Sequence, residues 1–112
     1  MAASPRTELE RIADHGGAGA DAARTALSDG SLRQQLRAAI CALAEHRGAH
    51  SSTCPSDAAR AVGGPDWRDA MDEARDIARE LAVAGDVEIT QRGEVVDPEA
   101  DWRGPVRIRT RR

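Results

Sequence analysis

At 112 residues the chain has the length of one domain, and its apolar content is small-sided: 22 alanines against 17 Val, Ile and Leu together, with no Phe or Tyr. All 16 basic residues are arginine, which excludes Schiff-base, P-loop-lysine and lysine general-base chemistry. Against 19 acids they leave a net charge of -3, too small for a typical disordered chain, so the composition reads as a compact, Ala-rich, mostly helical core.

Residues 1–30 are weakly coded. Ser4 and Pro5 suit the cap and first turn of a short helix through Asp14, with Leu9 and Ile12 as its large apolar groups. Beyond the break HGGAGA, residues 20–27 fit a second short helix. This stretch is expected to form a loosely packed N-terminal arm ahead of a domain at 31–112. The opening MAASPRTELERIAD lacks a signal-peptide run, and no segment approaches the ~18 apolar residues of a membrane span. A cytoplasmic location is expected, with no membrane contact and with Cys41 and Cys54 as reduced thiols. Arginine without lysine beside abundant alanine fits the codon usage of a GC-rich bacterial genome.

The domain opens with a helix capped by Ser31 and stopped by Gly48. Leu32, Leu36, Ala39, Ile40 and Leu43 share its apolar face, and Cys41 points nearly opposite, either exposed or covered by the arm. HSSTC is a short extended link. Pro55 starts a two-turn helix, with Asp57 in its first turn and Gly63-Gly64 at its end. A third helix runs from an Asp66 cap, with Asp69 as the carboxylate three residues on, to Gly85. Its apolar face carries Trp67, Met71, Ala74, Ala78 and Leu81, so Trp67 is expected in the core. Its outer face carries Asp69, Asp72, Glu73, Asp76 and Glu80, beside a stripe of Arg68, Arg75 and Arg79.

After Gly85 the period changes from 3.6 to 2. Val87 and Ile89 alternate with Glu88 and Thr90, and Arg92-Gly93 fits a two-residue hairpin turn that sets Val96 opposite Ile89. The loop DPEADWRGP leads to a last strand with Val106 and Ile108 alternating with Arg107 and Arg109. Helix, extended link, helix, helix, hairpin and strand is the order of an α+β winged helix: three helices on a small antiparallel sheet.

The pairs Cys54-Pro55 and Trp67-Arg68, the helix end Leu81 to Gly85, Ile89-Thr90-Gln91, Gly93, Val96-Asp97-Pro98 and Gly104-Pro105 carry a family resemblance. Together they resemble the bacterial family classed as domain of unknown function 3253, over roughly residues 33–110. The resemblance implies a small winged-helix-like domain and no catalytic residue.

Two functions fit the residues. As a DNA-binding regulator, the chain would contact phosphates of double-stranded DNA through Arg92 at the hairpin and through Arg103, Arg107, Arg109, Arg111 and Arg112. Arg68, Arg75 and Arg79 would reach bases or phosphates from the third helix. The competing account pairs those arginines with acids one turn away, Arg68 with Asp72 and Asp76 with Arg79. From Asp66 to Glu80, three arginines face six acids, which opposes entry into a groove. As a protein-interaction module, the chain would present its acidic third helix to a basic partner, or self-associate through its arm, with Trp102 as an exposed anchor. The favoured account of Trp102 folds the indole back over a small core.

Cys54 at a helix start suggests thiol chemistry, though a structural cysteine fits better. His46, His50 and Cys54 would align for a metal only on a continuous helix, which Gly48 breaks. No cofactor is implied. With no phosphate loop and no nucleophile–base arrangement, an enzyme is not expected.

Overall fold

The computed structural model describes residues 4–48 and 51–111. Helices α1 (Pro5–His15), α2 (Ala20–Leu27), α3 (Leu32–Arg47) and α4 (Pro55–Gly63) lead into a 3-10 segment, Gly64–Ala70, which runs straight into α5 (Met71–Val83). Strands β1 (Val87–Gln91), β2 (Glu94–Val95) and β3 (Arg107–Thr110) follow. The sheet is antiparallel in the order β2-β1-β3. Thr53, in the link between α3 and α4, extends it by exchanging two 2.7 Å backbone hydrogen bonds with Ile108. The architecture is α+β with a winged-helix-like layout, residues 92–106 forming the wing between β1 and β3.

Local chemistry accounts for the element ends. In α3, Ser31 Oγ accepts the Gln34 backbone N–H, and the Gln34 side chain accepts the Ser31 N–H, both at 3.1 Å. The Arg92-Gly93 turn holds φ at 53° and 83°, the two positive values a two-residue turn of this kind needs. It aligns Gln91 with Glu94, and Val96 N–H donates to Ile89 O at 2.9 Å, so the expected register holds.

The core joins Leu36, Ile40 and Leu43 of α3 to Ile77 and Leu81 of α5, to Val87, Ile89 and Ile108 of the sheet, and to Val106 at the end of the wing. Three expectations are corrected. The arm is not loosely packed: Leu9 and Ile12 are fully buried, and α2 packs against both α1 and α3 with Ala20, Ala23 and Ala26 buried. Small side chains let the helix backbones approach closely, so little large apolar surface is needed to seat the arm. Leu32, assigned to the α3 core face, is exposed in the helix's first turn. Asp66 does not cap the third helix; it sits at a kink (φ -96°, ψ 20°) inside the 3-10 segment, and α5 proper starts at Met71.

No helix among the described residues is long and apolar enough to cross a membrane.

Candidate nucleic-acid interface

The arginines separate into groups with different partners. On α5, the Arg79 guanidinium donates to the wing carbonyls of Pro98 (2.5 Å) and Ala100 (2.7 Å). Arg75 donates to those of Trp102 (3.2 Å) and Gly104 (3.3 Å). Both stack on the Trp102 indole, at 4.2 Å for Arg79 and 5.7 Å for Arg75. The indole N–H donates to Asp97 O at 2.9 Å. Trp102 is thus buried beneath the wing, 7% exposed, and is no surface anchor. Arg75 and Arg79 turn toward the wing and not toward a ligand outside the chain.

Trp67 is the less buried indole. It lies between the guanidiniums of Arg60 (4.5 Å) and Arg68 (4.6 Å), at the edge of the core and not within it. Arg68 therefore packs on an aromatic face; among the described residues it forms no ion pair with Asp72, nor does Asp76 with Arg79.

The acids of α5 pair across helices instead. Arg33 reaches Glu73 at 2.7 Å and also Glu80, and Arg37 reaches Glu80 at 2.7 Å. The Arg33 hydrogen bond and the nearby positive charges hold the Glu80 carboxyl below the ordinary glutamate value. Glu73 and Glu80 thus stitch α5 to α3. Asp69, Asp72 and Asp76 remain exposed, with no hydrogen-bonded or ionic partner among the described residues. The outward face of the helix that would enter a DNA groove is acidic.

The wing holds a different surface. Arg92, Arg103 and Arg107 line a cleft of about 780 Å³ together with Gln91, Glu94, Val96, Gly104 and Pro105. Gln91 fixes one wall by donating to the carbonyls of Arg103 (2.9 Å) and Pro105 (3.3 Å). Arg107 is anchored by Ser52, its Nε 2.8 Å from the hydroxyl and its Nη2 2.9 Å from the carbonyl. Arg92 and Arg103 are exposed and make no side-chain hydrogen bond among the described residues. One acid, Glu94, faces three cations there.

Arg109 and Arg111 lie elsewhere. Arg109 is paired with Glu88 at 3.0 Å. Arg111 borders a smaller cleft beside Cys41, Glu45 and Asp86. Arg112 lies outside the described residues. The described C-terminal arginines, Arg103, Arg107, Arg109 and Arg111, are therefore not one patch. Adjacency along the chain groups them, whereas the cleft is made by chain return through the wing.

Neither cysteine has a cysteine partner. Cys54 Sγ lies 3.0 Å from Ser56 Oγ at the start of α4. Cys41 is half-buried against α2, and burial, with Glu45 and Asp86 nearby, raises its thiol pKa, opposite to the shift a reactive thiol needs. His46 lies in the last turn of α3 and Cys54 precedes α4, on separate elements; His50 lies outside the described residues. Among the described residues no three His, Cys, Asp or Glu side chains converge as a metal site would require.

No curated protein matches the sequence. Residues 33–111 match a family described as a protein of unknown function (DUF3253), and with more than half of its length matched the chain belongs to that family.

Proposed function

We propose that this chain is a non-enzymatic module that contacts the phosphate backbone of double-stranded DNA through its wing, without reading bases through α5. The observation that carries the reading is Arg92. It is the one non-glycine with positive φ among the described residues, at 53°, and it lines the cleft with a guanidinium that has no partner among those residues. A left-handed arginine costs about 1 kcal/mol, which Asn or Gly at the same turn would avoid. Cost at one residue beside an open cationic cleft is what a ligand-contacting position looks like.

Electrostatics select the part of the duplex contacted. Asp69 of the 3-10 segment and Asp72 and Asp76 of α5 repel phosphate wherever that helix approaches, while Arg92, Arg103 and Arg107 attract it. Backbone contacts of this kind supply affinity and orientation without sequence information.

The test is fluorescence anisotropy of a labelled random duplex across a salt series, with an Arg92→Ala/Arg103→Ala variant alongside. Three phosphates neutralised correspond to a slope of log K on log salt of about -2.7, and the variant is expected to lose about two-thirds of it. No binding at low salt overturns the reading. The partnerless Asp69, Asp72 and Asp76 then favour the second reading, a docking face for a basic protein partner.

A further inference from the structure

The wing is unusually well held for a loop. Between Asp97 and Pro105 it has no regular structure, yet most of its carbonyls accept hydrogen bonds. Arg79 binds those of Pro98 and Ala100, Arg75 those of Trp102 and Gly104, and Gln91 those of Arg103 and Pro105. The Trp102 indole closes the loop on itself by donating to Asp97 O at 2.9 Å. Arg103 sits where these restraints meet. Its own carbonyl and those on either side of it are all bonded, so its backbone is fixed and only its side chain is free to extend to the cleft.

We propose that Arg75 and Arg79 are positioning residues for the anion cleft: they set Arg103 through the wing carbonyls and Trp102, and touch no nucleic acid themselves. The proposal rests on the phosphate-contact reading of the wing. Its physical basis is preorganisation. A loop fixed before binding does not lose its freedom when the ligand arrives, so more of the contact energy appears as affinity. Arginine suits the task because a planar guanidinium can lie on an indole with its face while its edge donates to two carbonyls. The acceptors are neutral. Both positive charges therefore persist beneath the wing and add to its potential without contact.

The role separates cleanly from direct contact because lysine keeps the charge and loses the planar fork. We would prepare Arg75→Lys/Arg79→Lys and, in case the pair does not fold, Arg75→Lys alone. Two measurements are made: amide hydrogen exchange without nucleic acid, and duplex affinity across a salt series. Within 97–105 the reporters are the Ala100 amide and the Trp102 indole N–H, both bonded to Asp97 O; they are expected to exchange at least tenfold faster, while the amides of α3 and α5 keep their protection. Affinity at fixed salt is expected to fall about tenfold with the salt slope unchanged.

Unchanged exchange in 97–105 overturns the proposal, and so does full affinity despite a loosened loop. An Arg75→Gln/Arg79→Gln variant that lowers the slope by about 0.9 per residue, with the loop still protected, assigns direct phosphate contacts and also overturns it. If the parent chain binds no duplex, the phosphate reading fails by itself. The exchange data still decide whether the two arginines hold the wing.

Discussion

Arg47 grips both carboxylate oxygens of Glu8, its Nη2 at 2.6 Å from one and its Nε at 3.1 Å from the other. This joins the end of α3 to the first turn of α1. The same guanidinium donates to Ser52 O at 2.9 Å and to Asp57 at 3.1 Å. One side chain thus ties α1, α3, the link and α4 together. Replacing Glu8 by Ala leaves a mostly buried guanidinium short of its bidentate acceptor and is expected to cost about 1–2 kcal/mol. Urea unfolding followed by circular dichroism measures this. A midpoint unchanged by the substitution would mean that α1 does not unfold with the rest.

The same network makes stability depend on acid. Burial pushes the Asp57 carboxyl up, but the Thr53 hydroxyl at 2.9 Å, the Arg47 charge and the Cys54 side chain outweigh it, so its pKa is lowered. A carboxylate with a depressed folded value contributes stability that is complete above the unfolded value of about 3.9 and is lost as pH falls through the folded one. Asp57→Asn removes that dependence. The expected result is a smaller loss of melting temperature between pH 5 and pH 3 than in the parent chain, together with a lower melting temperature at pH 7. Parallel pH profiles would contradict it.

Where a segment's residues solve their own hydrogen bonds, the sequence was readable. The Ser31 cap, the Pro55 start and the Arg92-Gly93 turn are local, and each lies where the spacing implied. The Trp67 face was misjudged for a geometric reason. A 3-10 helix turns about 120° per residue and an α-helix about 100°, so a wheel drawn through Trp67 to Met71 slips by about 80°. The partners of Glu73 and Glu80 were hidden because Arg33 and Arg37 come from another helix, at a separation no local rule reaches. The wing cleft was illegible for the same reason: Arg92, Arg103 and Arg107 meet only once the loop has folded back on α5. What had been legible was their charge, and what had misled was their order along the chain.

The two tryptophans should separate in energy. Trp102 is buried, bonded through its indole N–H and overlaid by two guanidiniums, so Trp102→Ala is expected to cost about 3–5 kcal/mol. Trp67 lies at the edge of the core between Arg60 and Arg68, and Trp67→Ala is expected to cost less than about 2 kcal/mol. Denaturant melts of both variants decide this. Equal losses would place Trp67 in the core after all.

Gly19 marks where α2 crosses α3. It has φ +82°, and an added Cβ would lie 2.9 Å from the Ala42 carbonyl oxygen, a backbone atom that cannot swing aside. Gly19→Ala combines backbone strain with overpacking and is expected to cost about 2–3 kcal/mol. Gly17→Ala, at φ +85° with nothing within 4 Å of the added carbon, is expected to cost only about 1 kcal/mol. The difference between the two variants isolates the helix contact from the dihedral.

Arg92 sets stability against binding. Asn is at ease with positive φ, and Asn-Gly is a favoured pair for this turn, so Arg92→Asn should relieve strain and stabilise the fold by about 0.5–1 kcal/mol. The same change removes one of the three cations around the cleft, so duplex affinity should fall and the salt slope should shrink by about 0.9. The two effects have opposite signs, which separates them from the usual case where a damaged fold weakens everything. Melting temperature and anisotropy on the same preparation test the pair. A more stable variant that binds as well as the parent would show that the strained arginine serves no ligand, and a less stable one that the turn prefers arginine for reasons of packing.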